Sequence, residues 1–146
     1  MKSNGKTIIL GFYGESESGK TNLVERLIRS LTEEGYQVAA VKKTNQLISI
    51  DSAGKDTYRY AQAGANLVVF STSIETSFLV NKKIGEEGII AYIQKLGKFD
   101  YIFVEGANEK MITKIRLGNI AERENTLFTY DGNFEGLLVL IKNRKE

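Results

Sequence analysis

The segment at residues 14–21, GESESGKT, constrains the fold of this 146-residue chain more than any other feature. It fits the pattern G-x-x-x-x-G-K-[ST] at every fixed position. In that pattern, glycines let the backbone curl so that successive N–H groups face the oxygens of a phosphate. An apolar run, TIILGFY at 7–13, precedes the segment, and leucines at helical spacing follow it. The sequence therefore predicts a P-loop, between a buried strand and a helix, that binds the phosphates of a nucleoside triphosphate.

Two residues of this loop have specific expected roles. Lys20 is expected to reach the β and γ phosphates, and the Thr21 hydroxyl is expected to bind magnesium. Glu15 and Glu17 are unusual beside a polyanion, so we expect their side chains to face solvent while the backbone binds. Contact with a basic partner is the alternative for these two. The predicted nucleotide-binding residues are Gly14, Glu15, Ser16, Glu17, Ser18, Gly19, Lys20, Thr21 and Asn22.

Strand and helix patterns alternate along the chain. Apolar runs predict buried strands at 7–13, 36–42, 66–71 and 100–104, and they are compatible with shorter strands at 47–50, 77–80, 114–117 and 127–130. Helical spacing predicts helices at 20–34, 55–63, 85–96 and 134–141. Gly35 is expected to cap the first, and Ile89, Ile93 and Leu96 are expected on one face of the third. The run LLVLI in the last of them also suits a strand. The alternation indicates a single α/β domain over residues 1–146 with a doubly wound, mostly parallel sheet.

An acidic residue follows a buried strand at the position where P-loop enzymes hold magnesium. Glu105 comes directly after YIFV, and the carboxyl ends of parallel strands line the ligand crevice. We therefore expect Glu105 to bind magnesium, the alternative being an ordinary carboxylate at a strand end. Asp51 is a second candidate, as a ligand of magnesium or water. In the same segment Gly54 allows a tight turn, and Asp56 or Thr57 is placed to cap the next helix.

The composition excludes several classes of site. The chain has no cysteine and no histidine, so it lacks disulfides, thiol nucleophiles and the commonest zinc ligands. Any metal should be a hard cation such as magnesium. The net charge of +2 gives no broad attraction to nucleic acid or anionic lipid. The apolar run at 7–13 is too short to span a membrane and leads into a glycine-rich turn, not a cleavage site, so we expect a cytoplasmic protein.

Two other patterns have weaker implications. The residues NKKI at 81–84 lack the aspartate of the guanine-reading pattern N-K-x-D, and we interpret them as a solvated turn. Lys114 and Arg116 alternate with Ile115 and Leu117, which predicts a strand with one basic face. That face is either solvated, a site for a second anion, or a surface for a partner.

Four stretches of the sequence resemble the MobB family of molybdopterin-guanine dinucleotide biosynthesis proteins. They are GFYGESESGKT at 11–21, VKKTNQLISIDSAGKDTYRYAQAGA at 41–65, DYIFVEG at 100–106 and TKI at 113–115. The resemblance covers nearly the whole chain, and its most specific part is the run from Ile50 to Ala65. It implies a P-loop fold, a homodimer, GTP binding with weak hydrolysis, and assistance to the guanylyltransferase that attaches GMP to molybdopterin, a pterin.

The resemblance also implies roles for particular residues. Asp51 and Glu105 are placed near the magnesium ion, and together with Lys20 they are the candidates for catalysis. Gly54, Lys55, Asp56 and Arg59 belong to the functional segment of the family and join the nucleotide-binding candidates. The chain departs from the family pattern at 42–46, where K-H and further histidines are usual, and at 105–108, where E-G-F-K is usual.

Two other functions are compatible with the same loop. A small P-loop kinase would need cationic lid residues, for which Arg116 and Arg123 are candidates, and a base, for which Asp51 is the candidate. A module whose partner affinity depends on bound nucleotide would need little catalysis, which suits a chain without histidine.

Overall fold

The computed structural model describes residues 5–145. In chain order its elements are β1 (Ile8–Gly14), α1 (Lys20–Glu33), β2 (Val38–Lys42), α2 (Asp56–Gln62), β3 (Leu67–Ser71), β4 (Thr76–Val80), α3 (Glu86–Leu96), β5 (Tyr101–Glu105), β6 (Lys114–Leu117), β7 (Thr126–Thr129) and α4 (Phe134–Asn143). They form two compact units, one made of the residues up to Thr44 and from Glu86 onward, the other of Asn45–Gly85.

The first unit contains a five-stranded sheet in the order β2-β5-β1-β6-β7. All neighbouring strands run parallel, as the sequence predicts. The register pairs Ile8 with Tyr101 and Lys42 with Glu105, so the carboxyl ends of β1, β2 and β5 lie at one edge of the sheet. Every residue of β5 is buried, as expected for a strand in the middle of a parallel sheet with both faces covered.

Helices cover both faces of this sheet. The leucine stripe of α1 and the apolar side chains of α4 pack in one cluster with alternate residues of β1 and β5, among them Phe12 and Phe103. The other residues of β5, Ile102 and Val104, form a second cluster against α3. The doubly wound α/β fold is therefore confirmed, and so is the helical interpretation of 134–141. On α3, Ile90 packs toward the sheet, whereas Leu96 is exposed, contrary to the prediction for that residue.

The end of α1 follows from its sequence. Gly35 has a φ of 93°, a left-handed conformation that glycine adopts without strain. This lets Gly35 N–H donate to the Thr32 carbonyl and Tyr36 N–H donate to the Leu31 carbonyl. These paired bonds satisfy two carbonyls at the helix end, and they turn the chain back toward β2.

The second unit contains α2 and the antiparallel hairpin β3–β4. The prediction of a buried strand at 66–71 is wrong in one respect, because only Val68 of β3 is buried. An apolar run alone does not identify the pairing partner, and this strand pairs with β4 in a hairpin outside the parallel sheet. The strand expected at 47–50 is also wrong: this segment is irregular and pairs with no described strand, and Leu47 is fully exposed. Across residues 5–145, every helix is too short or too polar to span a bilayer.

Candidate phosphate-binding site

The loop at 15–19 leaves β1 and enters α1 in the conformation that its glycines permit. A Cβ on Gly14 would lie 2.7 Å from the Leu117 carbonyl oxygen and 2.7 Å from Ser18 Oγ, so no larger residue fits there without a shift. Gly19 has a φ of 94°, and Glu17 also adopts a left-handed conformation, with a φ of 65°. In the first turn of α1, Leu23 N–H donates to the Gly19 carbonyl.

The start of α1 suits an anion. Gly19 is the N-cap, and no side chain within the described chain accepts a hydrogen bond from the first turn. The first N–H groups of a helix carry partial positive charge and need an acceptor. The Glu15 and Glu17 side chains are exposed, as both alternatives considered for them require, and the choice between solvent and a basic partner stays a prediction.

A cavity of about 290 Å³ lies against this helix start. Its lining residues are Ser16, Glu17, Gly19, Lys20, Thr21, Asn22 and Lys42. Lys20 Nζ donates to the carbonyls of Gly14 (2.8 Å) and Glu15 (3.1 Å). Ser18 Oγ is buried and has no hydrogen-bond partner in the described chain. Lys20, Thr21 and the first N–H groups of the helix therefore border a space that suits an anionic ligand, whereas Ser18 is outside its lining and has its Oγ beside Gly14.

Glu105 meets the loop at the carboxyl edge of the sheet. Thr21 Oγ1 donates to Glu105 Oε1 at 2.7 Å, although the two residues are 84 positions apart. Lys42 Nζ donates to Glu105 Oε2. Burial raises the pKa of Glu105, but the hydrogen bonds from Lys42 and Thr21 outweigh it and hold that pKa below its usual value. Glu105 is therefore an ionised carboxylate whose two oxygens both accept hydrogen bonds.

The residues at this junction fit magnesium together with phosphate. The Thr21 hydroxyl and the Glu105 carboxylate are hard oxygen donors, which magnesium prefers. Among residues 5–145, no group of three or more acidic, histidine or cysteine side chains could hold a metal ion. Magnesium at nucleotide sites commonly uses one or two protein oxygens and takes its other ligands from phosphate and water. Thr21 and Glu105 are the residues of the first unit that would hold it.

A second buried carboxylate was not found by sequence reasoning. Glu86, at the start of α3, is only 1% exposed. Its oxygens accept hydrogen bonds from Lys43 Nζ and from the N–H groups of Asn108 (2.9 Å) and Glu109 (3.1 Å). Burial raises the pKa of Glu86, but these bonds outweigh it and the pKa is lowered. In the sequence this residue looks like an ordinary acid in a helix first turn, and only the fold shows that it holds the loop after Glu105.

Lys43, which follows β2, and Asn108, which follows β5, both contact Glu86. The cation that faces Glu86 therefore comes from the residue after β2, and the loop after β5 contributes backbone N–H groups.

The basic residues at 114–123 bind the protein itself. Lys114 is fully buried, and its Nζ donates to the carbonyls of Glu109, Ile112 and Glu124, so the predicted basic face is wrong for this residue. A parallel strand in the middle of a covered sheet has no solvated face. Arg116 Nε donates to the Ile120 carbonyl, and Arg123 donates to the Ala107 carbonyl. Both guanidinium groups therefore contact nearby backbone, whereas the cationic lid residues of a kinase would contact the phosphates.

The remaining candidates lie in the second unit. Asp51, Gly54, Lys55 and Asp56 line a cavity of about 840 Å³ formed within that unit. Gly54 has a φ of 92° and makes the predicted turn. The capping role expected for Asp56 or Thr57 is wrong, because Lys55 is the N-cap of α2 and Asp56 already lies in its first turn.

Two other candidates of the second unit, Arg59 and the segment at 81–84, are exposed to solvent. Arg59 lies on the exposed side of α2. The segment at 81–84 is irregular and mostly exposed, as predicted. The roles proposed from the sequence for Asp51 and Arg59 remain predictions.

Comparison with known proteins identifies relatives of this chain. A family model described as molybdopterin guanine dinucleotide synthesis protein B, MobB, matches residues 9–140. A putative molybdopterin-guanine dinucleotide biosynthesis adapter protein of Methanocaldococcus jannaschii is 29% identical over 103 residues, 70% of this chain and 42% of that protein. The molybdopterin-guanine dinucleotide biosynthesis adapter protein of Escherichia coli is 31% identical over 118 residues, 77% of this chain and 67% of that protein. The chain thus spans less than half the length of the first of these relatives.

Solved structures share the fold. The crystal structure of Bacillus subtilis MobB superposes with a TM-score of 0.71 at 20% identity, and the match covers 92% of this chain and 97% of that chain. At this identity the similarity shows a shared α/β fold.

Proposed function

Because this chain belongs to the MobB family, we propose that it is a GTP-binding accessory protein of molybdopterin guanine dinucleotide biosynthesis. In this proposal it hydrolyses GTP slowly and assists the guanylyltransferase that attaches GMP to the pterin. The observation that carries the proposal is the junction of Thr21 with Glu105 beside the phosphate cavity. It combines a P-loop hydroxyl with a buried, ionised carboxylate from a neighbouring strand.

The roles of the residues follow from their contacts. Backbone N–H groups of the loop and of the start of α1 would bind phosphate oxygens. Lys20 would exchange its two loop carbonyls for the β and γ phosphates, a stronger charge-assisted contact. Thr21 and Glu105 would hold magnesium, which would supply charge stabilisation at the phosphates.

Slow hydrolysis follows from the same geometry. A general base works best when its pKa lies near the working pH. Glu105 has a lowered pKa, and both of its oxygens already accept hydrogen bonds, which makes it a weak base. The chain also contains no histidine. We therefore propose that nucleotide binding, and not turnover, is the main property of this site.

The proposal extends to the second unit and to partners. Asp51 is proposed as a further magnesium or water ligand, and Gly54, Lys55, Asp56 and Arg59 as further contacts of the nucleotide or its partner. A homodimer is proposed as well, supported by large apolar side chains that the hairpin exposes, namely Leu67, Val69, Phe70, Phe78 and Val80. The chain is proposed to act as one nucleotide-binding domain over 1–146, in the cytoplasm, without binding nucleic acid or membrane.

Calorimetric titration tests this function directly. GTP and ATP are each titrated, with and without magnesium, into the wild type, Lys20→Ala and the control Lys95→Ala, which removes an equal charge from an exposed position on α3. We expect GTP to bind better than ATP, magnesium to strengthen binding, and Lys20→Ala alone to lose it. Preference for ATP would replace this function with that of a kinase. Binding of neither nucleotide would leave only a partner-binding role.

A second experiment tests the role as an accessory protein. The chain is mixed in equimolar amount with a molybdopterin guanylyltransferase and analysed by size-exclusion chromatography and by product yield. We expect a complex and a changed yield. If neither is seen while GTP still binds, the proposed pathway is wrong although the nucleotide site is real.

A further inference from the structure

Lys42 lies outside the loop motif but faces the same cavity. It is the last residue of β2, and its register partner in β5 is Glu105. Its side chain is 71% exposed, whereas that of Glu105 is 8% exposed. Lys42 lines the phosphate cavity together with Lys20. The cavity therefore contains two ammonium groups, of which the sequence motif accounts for only one.

The Lys42 ammonium is bound to Glu105, the carboxylate that is the candidate magnesium ligand. Glu105 Oε1 accepts from Thr21, and Glu105 Oε2 accepts from Lys42. A magnesium ion that binds this carboxylate through Oε2 has to displace the ammonium. Lys42 is mostly exposed and its ammonium has three N–H donors, so it can contact a phosphate in the cavity while one donor stays on the buried Glu105 carboxylate.

We propose that Lys42 is a resident cation of this site, which neutralises Glu105 in the empty protein and contacts the phosphates of a bound nucleotide. It competes with divalent metal for Glu105, and it supplies positive charge to the phosphates when metal is scarce. Binding of nucleotide therefore depends less on magnesium than it would without Lys42. This inference rests on the proposed function, because it concerns the same phosphate site.

The first test measures GTP affinity by calorimetry, with excess magnesium and with a chelator. The proteins are the wild type, Lys42→Met, Lys42→Arg and the control Lys95→Met. Loss of one charge-assisted contact predicts that Lys42→Met weakens binding about tenfold in chelator but only about twofold in magnesium. Lys42→Arg keeps the charge and is expected to restore most of the affinity in chelator. An equal loss with and without magnesium, or no loss at all, would overturn the proposal.

The second test needs no nucleotide. Manganese(II), as a probe for magnesium, is titrated into each protein and its free fraction is followed by electron paramagnetic resonance. Lys42→Met is expected to bind manganese more tightly than the wild type, and Lys42→Met with Glu105→Gln is expected to lose that gain. Unchanged manganese affinity in Lys42→Met would refute the competition. If circular dichroism shows that Lys42→Met is unfolded, Lys42→Gln replaces it, because its amide still donates to Glu105.

The two tests separate this inference from the proposed function. If the wild type binds no nucleotide, the proposed function fails, yet the manganese titration still decides whether Lys42 occupies the carboxylate. If GTP binds but neither measurement responds to Lys42→Met, the nucleotide site stands and the role of Lys42 is refuted.

Discussion

Replacing Glu86 by glutamine tests whether an ionised carboxylate holds the loop that follows Glu105. The change keeps the size of the side chain and removes its charge. Glu86 is buried and accepts hydrogen bonds from the Lys43 ammonium and from two backbone N–H groups, those of Asn108 and Glu109. The glutamine amide offers only one acceptor oxygen. Its NH₂ group is itself a donor, and it would face the N–H groups that donate to Glu86 in the wild type. The variant therefore weakens three contacts at once.

The magnitude follows from these contacts. A hydrogen bond to a charged group contributes roughly 1.5–3 kcal/mol, and a neutral one about 1 kcal/mol. Breaking a fully buried ion pair costs about 3–5 kcal/mol, but the Lys43 side chain is 24% exposed, so water relieves part of that cost. We expect Glu86→Gln to lower the free energy of unfolding by about 2–3 kcal/mol at neutral pH.

The effect has a defined pH dependence. The folded protein lowers the pKa of Glu86 from its ordinary value of 4.5. The stabilisation is therefore complete above that ordinary value and is lost as the pH falls through the pKa of the folded state. The difference in stability between the wild type and Glu86→Gln should shrink as the pH falls below about 4.5.

Urea unfolding followed by circular dichroism measures the stability, and hydrogen exchange of the Asn108 and Glu109 amides reports on the contacts themselves. The matched control is Glu25→Gln. Glu25 pairs with Arg29 at 2.8 Å on the surface, with both side chains more than half exposed, and should change stability by less than about 0.5 kcal/mol. A loss in Glu86→Gln no larger than the control, or one that does not shrink in acid, would refute the reasoning.

Three further predictions concern the loop and its support. Gly14→Ala places a Cβ against the Leu117 carbonyl and should cost about 2–3 kcal/mol in urea unfolding, whereas Gly19→Ala meets no atom within 4 Å and should cost about 1 kcal/mol from its positive φ alone. An equal loss of stability in the two variants would contradict the steric difference between Gly14 and Gly19. Ser18→Ala removes a buried, unpartnered hydroxyl that lies beside Gly14 and outside the lining of the phosphate cavity, so both the stability and the GTP affinity should stay nearly unchanged; a several-fold loss of affinity by calorimetry would place Ser18 in the site. Lys114→Met leaves three backbone carbonyls without their donor and should lower the stability by about 3 kcal/mol, and a neutral result would contradict the buried network.

The parts of the site that were predicted from the sequence are those with a local signal. The P-loop is a run of consecutive residues in which Gly19 has a left-handed conformation and Gly14 has no room for a side chain. Glu105 was predicted because a strand end in a parallel sheet has a fixed relation to the ligand crevice. Lys42 and Glu86 could not be predicted in the same way. Their contacts depend on the order of strands, β2 beside β5, and a strand pattern in the sequence does not give that order.

The errors have a similar cause. An apolar run such as NLVVFS suits a buried parallel strand and an exposed hairpin arm equally well, since it carries no information about its partner. The basic residue Lys114 was expected on an open face because alternation was the only guide. Its burial is explained only by the loop carbonyls that gather around it.

The strand order also determines when this protein can fold during its synthesis. β5 lies between β1 and β2 in the sheet, but it leaves the ribosome after both of them and after the whole second unit. Until β5 is available, β1 and β2 lack their shared neighbour, and the strand edges that pair with β5 have no partner. Contacts so distant in sequence make folding slow and leave strand edges exposed to aggregation. We therefore expect a nascent chain that ends before Tyr101 to depend on chaperones, and to acquire nucleotide binding only when Glu105 has joined the sheet.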